Sequence, residues 1–264
     1  KSEVSEATNG ATKLITENKV KALIGPATSG AALAAQQVAT DNKIPMVAPA
    51  ATAENVTVDN KGVVRKFVFR TPFIDPFQGT VMGKFASQTL KAKTAAIYVD
   101  NSSDYAKGLA KYFEEEFTKS GGTVVIKEAY LQKDADFKST LTKMKASNPD
   151  VIYVPGYYQE VSMIIKQARE LGMNQPMLGG DGWDSPKLAE VAGAVALENT
   201  YMSNHYASGD SDAKVKAFEE KYEKKYKAKP EGFAALGYDA VMVLVDSMKR
   251  AGGTDGEKVA DAMA

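Results

Sequence analysis

Short apolar runs alternate along this chain with longer stretches whose apolar positions recur at helical spacing. Val4, Ala7, Ala11, Leu14 and Ile15 predict an amphipathic helix over residues 3–17, and the run behind them predicts a strand over 20–24. An Ala-rich helix over 31–40, a strand from Ile44 and a strand over 66–71 come next, and a helix over 79–89 closes this first series. The pattern then restarts with strand 94–99, helix 104–119, strand 123–130, helix 136–146 and strand 151–154. Helix 160–171, strand 176–179, a short helix 186–191 and strand 199–203 complete it. Beyond Gly209 only helices are readable, over 213–226, over 232–251 and from 256 onward. Such α/β alternation predicts doubly wound parallel sheets with both faces covered. The helix count suffices for two sheets, which places one lobe in residues 1–91 with 206–264 and the other in 92–205, with hinge strands at the crossings. Ligands of open parallel sheets lie beyond the strands' carboxyl ends, so two lobes joined this way are expected to enclose a cleft.

The turn after the first strand carries the most specific chemistry. Gly25-Pro26 breaks the strand, Thr28 or Ser29 stands where an N-cap belongs, and Ala31 to Gln37 continue as helix. The first-turn N–H groups of such a helix point at whatever sits over the strand's end, a place that suits a small anion. The next strand end, Ala48-Pro49-Ala50-Ala51-Thr52, adds another hydroxyl and further backbone donors on the same side of a parallel sheet. Two neighbouring strand ends then share one carboxylate-sized site.

Composition removes several classes of function. Of 264 residues 44% are hydrophobic and 25% charged, an ordinary balance for a globular chain. Lys plus Arg and Asp plus Glu both number 33, and no basic run carries interleaved aromatics, so nucleic acid is not an expected partner. Cysteine is absent, which removes disulfides, thiol nucleophiles and thiolate metal sites. The single histidine, His205, has no ligand grouping around it in the sequence and reads as structural. None of the phosphate-loop, dinucleotide, serine-nucleophile or zinc motifs occurs, so neither catalysis nor a cofactor is expected. No apolar run reaches the ~18 residues that a membrane span needs. The Lys-rich stretch 221–229 reads as a solvated helix face.

Written side by side, the turn sequences resemble those of one family. They are Gly25-Pro26-Ala27-Thr28-Ser29-Gly30, Ala48-Pro49-Ala50-Ala51-Thr52, Phe69-Arg70-Thr71 with Asp75 and Gln78-Gly79, Asp104-Tyr105-Ala106-Lys107-Gly108, Val154-Pro155-Gly156-Tyr157-Tyr158 and Gly179-Gly180-Asp181-Gly182-Trp183. In this order, and across essentially the whole chain, they resemble the branched-chain amino-acid binding proteins of ABC importers, which have the type I periplasmic solute-binding fold. Family members open with a further strand, loop and strand before the first helix, and continue beyond the last one. The resemblance therefore implies that the first-lobe N-terminal strands and the C-terminal strands are supplied outside these residues.

A zwitterionic amino acid requires donors for its carboxylate, an acceptor for its ammonium and an apolar wall. The resemblance assigns the carboxylate to the hydroxyls and N–H groups of Ser29 and Thr52, with simple helix capping as the alternative. It assigns the ammonium to Asp181, with carbonyls near Ala50 and Ala51 as co-acceptors; an Asx-turn among the surrounding glycines is the alternative there. Tyr105 and Tyr157 are carried over as second-lobe contacts, against a packing role. Ala27 and Thr28 match small first-lobe contacts, Trp183 and Phe233 are aromatic neighbours for the wall, and Trp183 reads equally well as lobe-interior packing. Asp75 is read as holding the hinge or neighbouring hydroxyls. The function implied is capture of leucine, isoleucine or valine between closing lobes and delivery to a membrane ABC permease. The implied location is extracytoplasmic, in the periplasm or on a cell-surface lipoprotein, and the complete protein is expected to be monomeric. A sensory or receptor ligand-binding domain on the same fold is the alternative. A flavodoxin-like or sugar-active enzyme is a third reading, for which no nucleophile or acid–base pair can be named.

Overall fold

The chain begins with α1 (Val4–Thr12), β1 (Leu23–Ile24), α2 (Ser29–Asp41), β2 (Met46–Ala48) and β3 (Val68–Arg70). It continues through α3 (Asp75–Lys84), β4 (Thr94–Asp100), α4 (Asp104–Lys119), β5 (Thr123–Tyr130), α5 (Lys138–Ala146), β6 (Val151–Tyr153) and α6 (Tyr158–Glu170). β7 (Met177–Gly179), α7 (Pro186–Ala192), β8 (Thr200–Met202), α8 (Ala213–Tyr226), α9 (Gly232–Arg250) and α10 (Gly256–Met263) follow. This computed structural model describes residues 3–264. Its contacts group into two units, Lys1–Phe73 with His205–Ala264, and Ile74–Asn204.

The first unit holds a three-stranded parallel sheet of order β1-β2-β3. One face packs on Ala11 and Ile15 of the N-terminal helix and on Ala32, Ala35 and Ala39 of α2, whose small side chains let that helix lie close to Met46, Ala48 and Val68. The other face meets α9 and α10 through Val47, Ala240, Leu244 and Val259. The late helices thus act as cover, as their lack of strand pattern predicted. β1 is shorter than the expected 20–24. The N-terminal helix ends in a π turn, Lys13–Glu17, and the Val20 N–H donates to Leu14 O to close it, so Val20 is taken out of strand pairing.

The second unit is a five-stranded parallel sheet of order β5-β4-β6-β7-β8. β4 shows why a parallel strand reads as a continuous apolar run: Ala96 and Tyr98 enter one core, and Ala95, Ile97 and Val99 enter the other. α4 starts where the Ser103 hydroxyl accepts from the Ala106 N–H at 3.3 Å, and it buries Tyr105, Ala106, Leu109, Ala110, Phe113 and Phe117 along one face.

The helix expected over 79–89 begins earlier, at Asp75, with Pro76 in its first turn and a π turn, Phe85–Thr89, at its end. It belongs to the second unit, so the first boundary falls at Phe73–Ile74 instead of near residues 91–93. The reason is backbone proximity. A Cβ on Gly79 would stand 2.6 Å from Tyr112 Cβ, and one on Gly83 would stand 3.0 Å from Glu116 Cβ. Those two glycines let α3 lie directly on α4, an attachment that hydrophobic periodicity does not report.

Candidate functional site

In the first unit, β1 and β2 are adjacent parallel strands, with Ile24 opposite Val47. Their following loops therefore leave the sheet side by side. Thr28 is the N-cap of α2, in an extended conformation, and no side chain caps the helix. The Ser29 hydroxyl, 1% exposed, instead accepts from the Ala53 N–H at 3.1 Å and ties the start of α2 to the loop after β2. Thr52 is fully buried, and its Oγ1 has no hydrogen-bond partner among the described residues. A buried hydroxyl beside an uncapped helix start is a donor set suited to an anion. Ala50 and Ala51 are buried in the same loop, while Ala27 is exposed and Thr28 half-buried.

That loop is held from β3. Arg70 donates to Ala51 O at 3.1 Å, to Ala53 O at 2.8 Å, to Glu54 O at 3.1 Å and to Thr57 Oγ1 at 2.6 Å. The Thr71 hydroxyl donates to Pro49 O at 3.3 Å. Arg70 thus has a structural role that its motif alone does not reveal; the signal for it is an arginine at the end of a parallel strand, facing a loop rich in carbonyls. Phe233 lies half-buried in the first turn of α9. His205 stacks on Phe73, ring centroids 3.5 Å apart.

In the second unit the strand order reverses between β4 and β6, the place where parallel sheets open a crevice at their carboxyl ends. Tyr105 in the first turn of α4 and Tyr157 at the N-cap of α6 stack there, centroids 5.0 Å apart. Asp181 stands on the turn after β7, 3% exposed. Its Oδ1 accepts from Gln78 Nε2 and from the Tyr105 hydroxyl, each at 2.9 Å. The Tyr105 oxygen in turn accepts from the Gly182 N–H at 2.9 Å. Gly180 and Gly182 permit this approach, since a Cβ on Gly180 would stand 2.6 Å from Tyr105 Oη and one on Gly182 2.6 Å from Gly156 O.

Burial pushes the Asp181 carboxyl up to about 6, against the hydrogen bonds from Gln78 and Tyr105 that favour its ionised form. At neutral pH it is a buried carboxylate. Burial, followed by the negative charge of Asp181, raises both Tyr105 and Tyr157, so the phenols stay protonated and able to donate.

Trp183 shares the Asp181 turn, but its ring is 1% exposed and its Nε1–H donates to Val154 O at 3.0 Å. A Cβ on Gly179 would run into the indole Cε2. This is the packing arrangement that the sequence left open beside a ligand-wall role. Asp75 is buried against α4, its Oδ2 3.0 Å from where a Cβ on Gly108 would stand. Gln78 is the residue whose role the sequence missed. A polar residue next to the two close-packing glycines of α3 was the signal available. Among the described residues no group of three or more His, Cys, Asp or Glu side chains is placed to hold a metal.

A family model described as periplasmic binding protein matches residues 1–264. The chain belongs to the periplasmic binding protein family. This periplasmic binding protein is 28% identical to the leucine-, isoleucine-, valine-, threonine- and alanine-binding protein of Pseudomonas aeruginosa, over 94% of the chain and 65% of that relative. It therefore spans just under two thirds of that protein's length. Among solved structures it superimposes on a leucine binding protein, LivK, from Thermotoga maritima with a TM-score of 0.93 and 43% identity, covering 99% of this chain and 73% of that one. It also superimposes on LivJ, a branched-chain amino acid transporter substrate binding protein from Streptococcus pneumoniae in complex with isoleucine, with a TM-score of 0.91 and 40% identity. That match covers 100% of this chain and 73% of LivJ. The parallel sheets of this periplasmic binding protein are those of the type I fold. No helix among the described residues is long and apolar enough to cross a membrane.

Proposed function

We propose that this chain is the ligand-binding part of an extracytoplasmic solute-binding protein that captures leucine, isoleucine or valine and delivers it to a membrane ABC permease. The observation that carries the reading is Asp181, a carboxylate buried to 3% exposure and held by neutral donors. A buried anion of this kind is stabilised by a cationic ligand group, and the ammonium of an amino acid supplies one. The uncapped start of α2, with Ser29 and Thr52, takes the carboxylate. Ala27, Thr28, Tyr157 and Phe233 offer the aliphatic side chain small and aromatic surfaces, and Trp183 supports the Asp181 turn from within the core. Binding serves transport and breaks no covalent bond, so no nucleophile or acid–base pair is required.

The names of the relatives support the class of ligand: one is a leucine binding protein, and another was solved in complex with isoleucine. The test is a thermal-shift screen of the twenty amino acids on the full-length protein. A ligand at 100 times its Kd stabilises by about 2.7 kcal/mol, so leucine, isoleucine and valine give clear shifts and alanine a smaller one. Discrimination among the first three is small, because one methylene in an apolar pocket is worth only ~1–3 kcal/mol. Shifts with glutamate or lysine and none with leucine overturn the assignment.

A further inference from the structure

We infer that Gln78 is a positioning residue for ligand recognition: its carboxamide fixes the orientation of the Asp181 carboxylate and ties it to Ser203. The inference rests on the reading of Asp181 as the acceptor of the ligand's ammonium. Gln78 is fully buried on α3, and its two ends do different work. Nε2 donates to Asp181 Oδ1 at 2.9 Å. Oε1 accepts from the Asp181 N–H at 3.2 Å and from the Ser203 hydroxyl at 2.8 Å. One carboxamide thus grips both the backbone and the side chain of the acid, and its own flip state is set by the Asp181 N–H, which can only donate, and the ionised carboxylate, which can only accept. α3 begins just after the chain enters this unit at Ile74, and Ser203 comes just before it leaves at Asn204. Gln78 therefore joins the acid to the entry and exit segments of the unit.

The chemistry explains why a neutral amide serves here. A lysine or arginine at this position would neutralise Asp181 internally and compete with the ligand's ammonium. An amide stabilises the ionised carboxylate by hydrogen bonding and leaves its full charge for a cation. Asp184 on the same turn and the phenols of Tyr105 on α4, Tyr153 on β6 and Tyr157 at the start of α6 are among the titratable groups that interact with Asp181. Gln78 and Tyr105 both donate to its carboxylate.

The test is Gln78→Met in the full-length protein, read two ways. The 13C shift of Asp181 Cγ, titrated without ligand, reports its protonation; the expected result is a midpoint moved upward by about one pH unit or more, as for a lost hydrogen bond to a charged group. Calorimetry with leucine at pH 7.5 is expected to show affinity reduced about tenfold or more, with no further loss when the change is added to Asp181→Asn. Lowered thermal stability with an unmoved midpoint and affinity within about threefold of the parent protein, the mark of a merely structural role, overturns the inference. Should Gln78→Met not fold, Gln78→Glu keeps the shape and sets a second carboxylate against Oδ1. Its expected result is the same upward shift with a larger affinity loss, and an unmoved midpoint overturns the inference. Failure of the amino-acid reading is recognised separately: no amino acid then stabilises the parent protein, while the ligand-free titration still decides the role of Gln78.

Discussion

At the strand ends of the first unit, Thr52 keeps a buried hydroxyl with no hydrogen-bond partner among the described residues, and α2 starts without a side-chain cap. On the turn after β7 in the second unit, Asp181 is reached by Gln78 and Tyr105 at 2.9 Å each. The difference follows from what each group costs when buried. A neutral hydroxyl or N–H left without a partner costs about 1–3 kcal/mol, which a folded domain tolerates at a few positions. A buried carboxylate left bare costs far more, so it needs donors even before any ligand arrives. In the proposed site, neutral donors for the ligand's carboxylate can therefore wait unpaired, whereas the acceptor for its ammonium has to be built into a network.

Removing the networked acid is the strongest way to break this contrast. Asp181→Ala leaves a ligand ammonium buried without its partner, and the expected loss of leucine affinity is about 3–5 kcal/mol, as for other broken buried pairs. Calorimetry that returned an affinity within threefold of the parent would take Asp181 out of the site.

The first unit offers a sharper comparison at smaller magnitude. Ser29→Ala and Thr52→Val are each expected to weaken leucine binding by roughly 1–3 kcal/mol, because in the proposed site each removes a donor to the ligand's carboxylate. Their effects on the ligand-free protein differ. Ser29→Ala also strands the Ala53 N–H and is expected to lower unfolding stability by about 1 kcal/mol, whereas Thr52→Val removes a hydroxyl without a hydrogen-bond partner among the described residues and is expected to leave stability unchanged or higher. Equal stability losses in chemical denaturation would show that Thr52 has a partner in the free protein.

The smallest expected effect concerns pH. The folded protein takes up a proton on Asp181 near pH 6, while the unfolded chain does so only near the ordinary carboxylate value. Native protein therefore binds more protons over that interval, and stability rises as pH falls from 7 to 5, by roughly 1 kcal/mol. Leucine affinity falls over the same interval, since a protonated Asp181 no longer carries the charge that the ammonium needs. Denaturation curves and calorimetry at the two pH values check both signs. Asp181→Asn is expected to flatten the stability trend, and a trend that survived the substitution would assign it to another group.

The alternation of elements was set by the sequence alone. The helix over 104–119, the strand over 123–130 and the helix over 213–226 occupy the residues that the pattern predicted. Local pattern suffices for these: α4 writes its buried face in its own residues, as with Tyr105, Leu109 and Phe113, β5 alternates exposed with less exposed positions, and α8 opens on the Asp212 carboxylate, which accepts from the Lys214 N–H. The strand-end loops that carry Ser29, Thr52 and Asp181 were legible for the same reason, since Gly, Pro and hydroxyl residues punctuate strands locally. Tertiary structure alone decided the rest. Gly79 and Gly83 assign α3 to the second unit through its approach to α4, which no property of α3's own pattern announces. The Ser29 hydroxyl meets an N–H 24 residues away, Gln78 meets Asp181 103 residues away, and the Trp183 indole turns inward onto Val154 O. Hydrogen bonds between residues so far apart leave no periodic trace in the chain; they exist only once parallel strands have brought their carboxyl ends side by side.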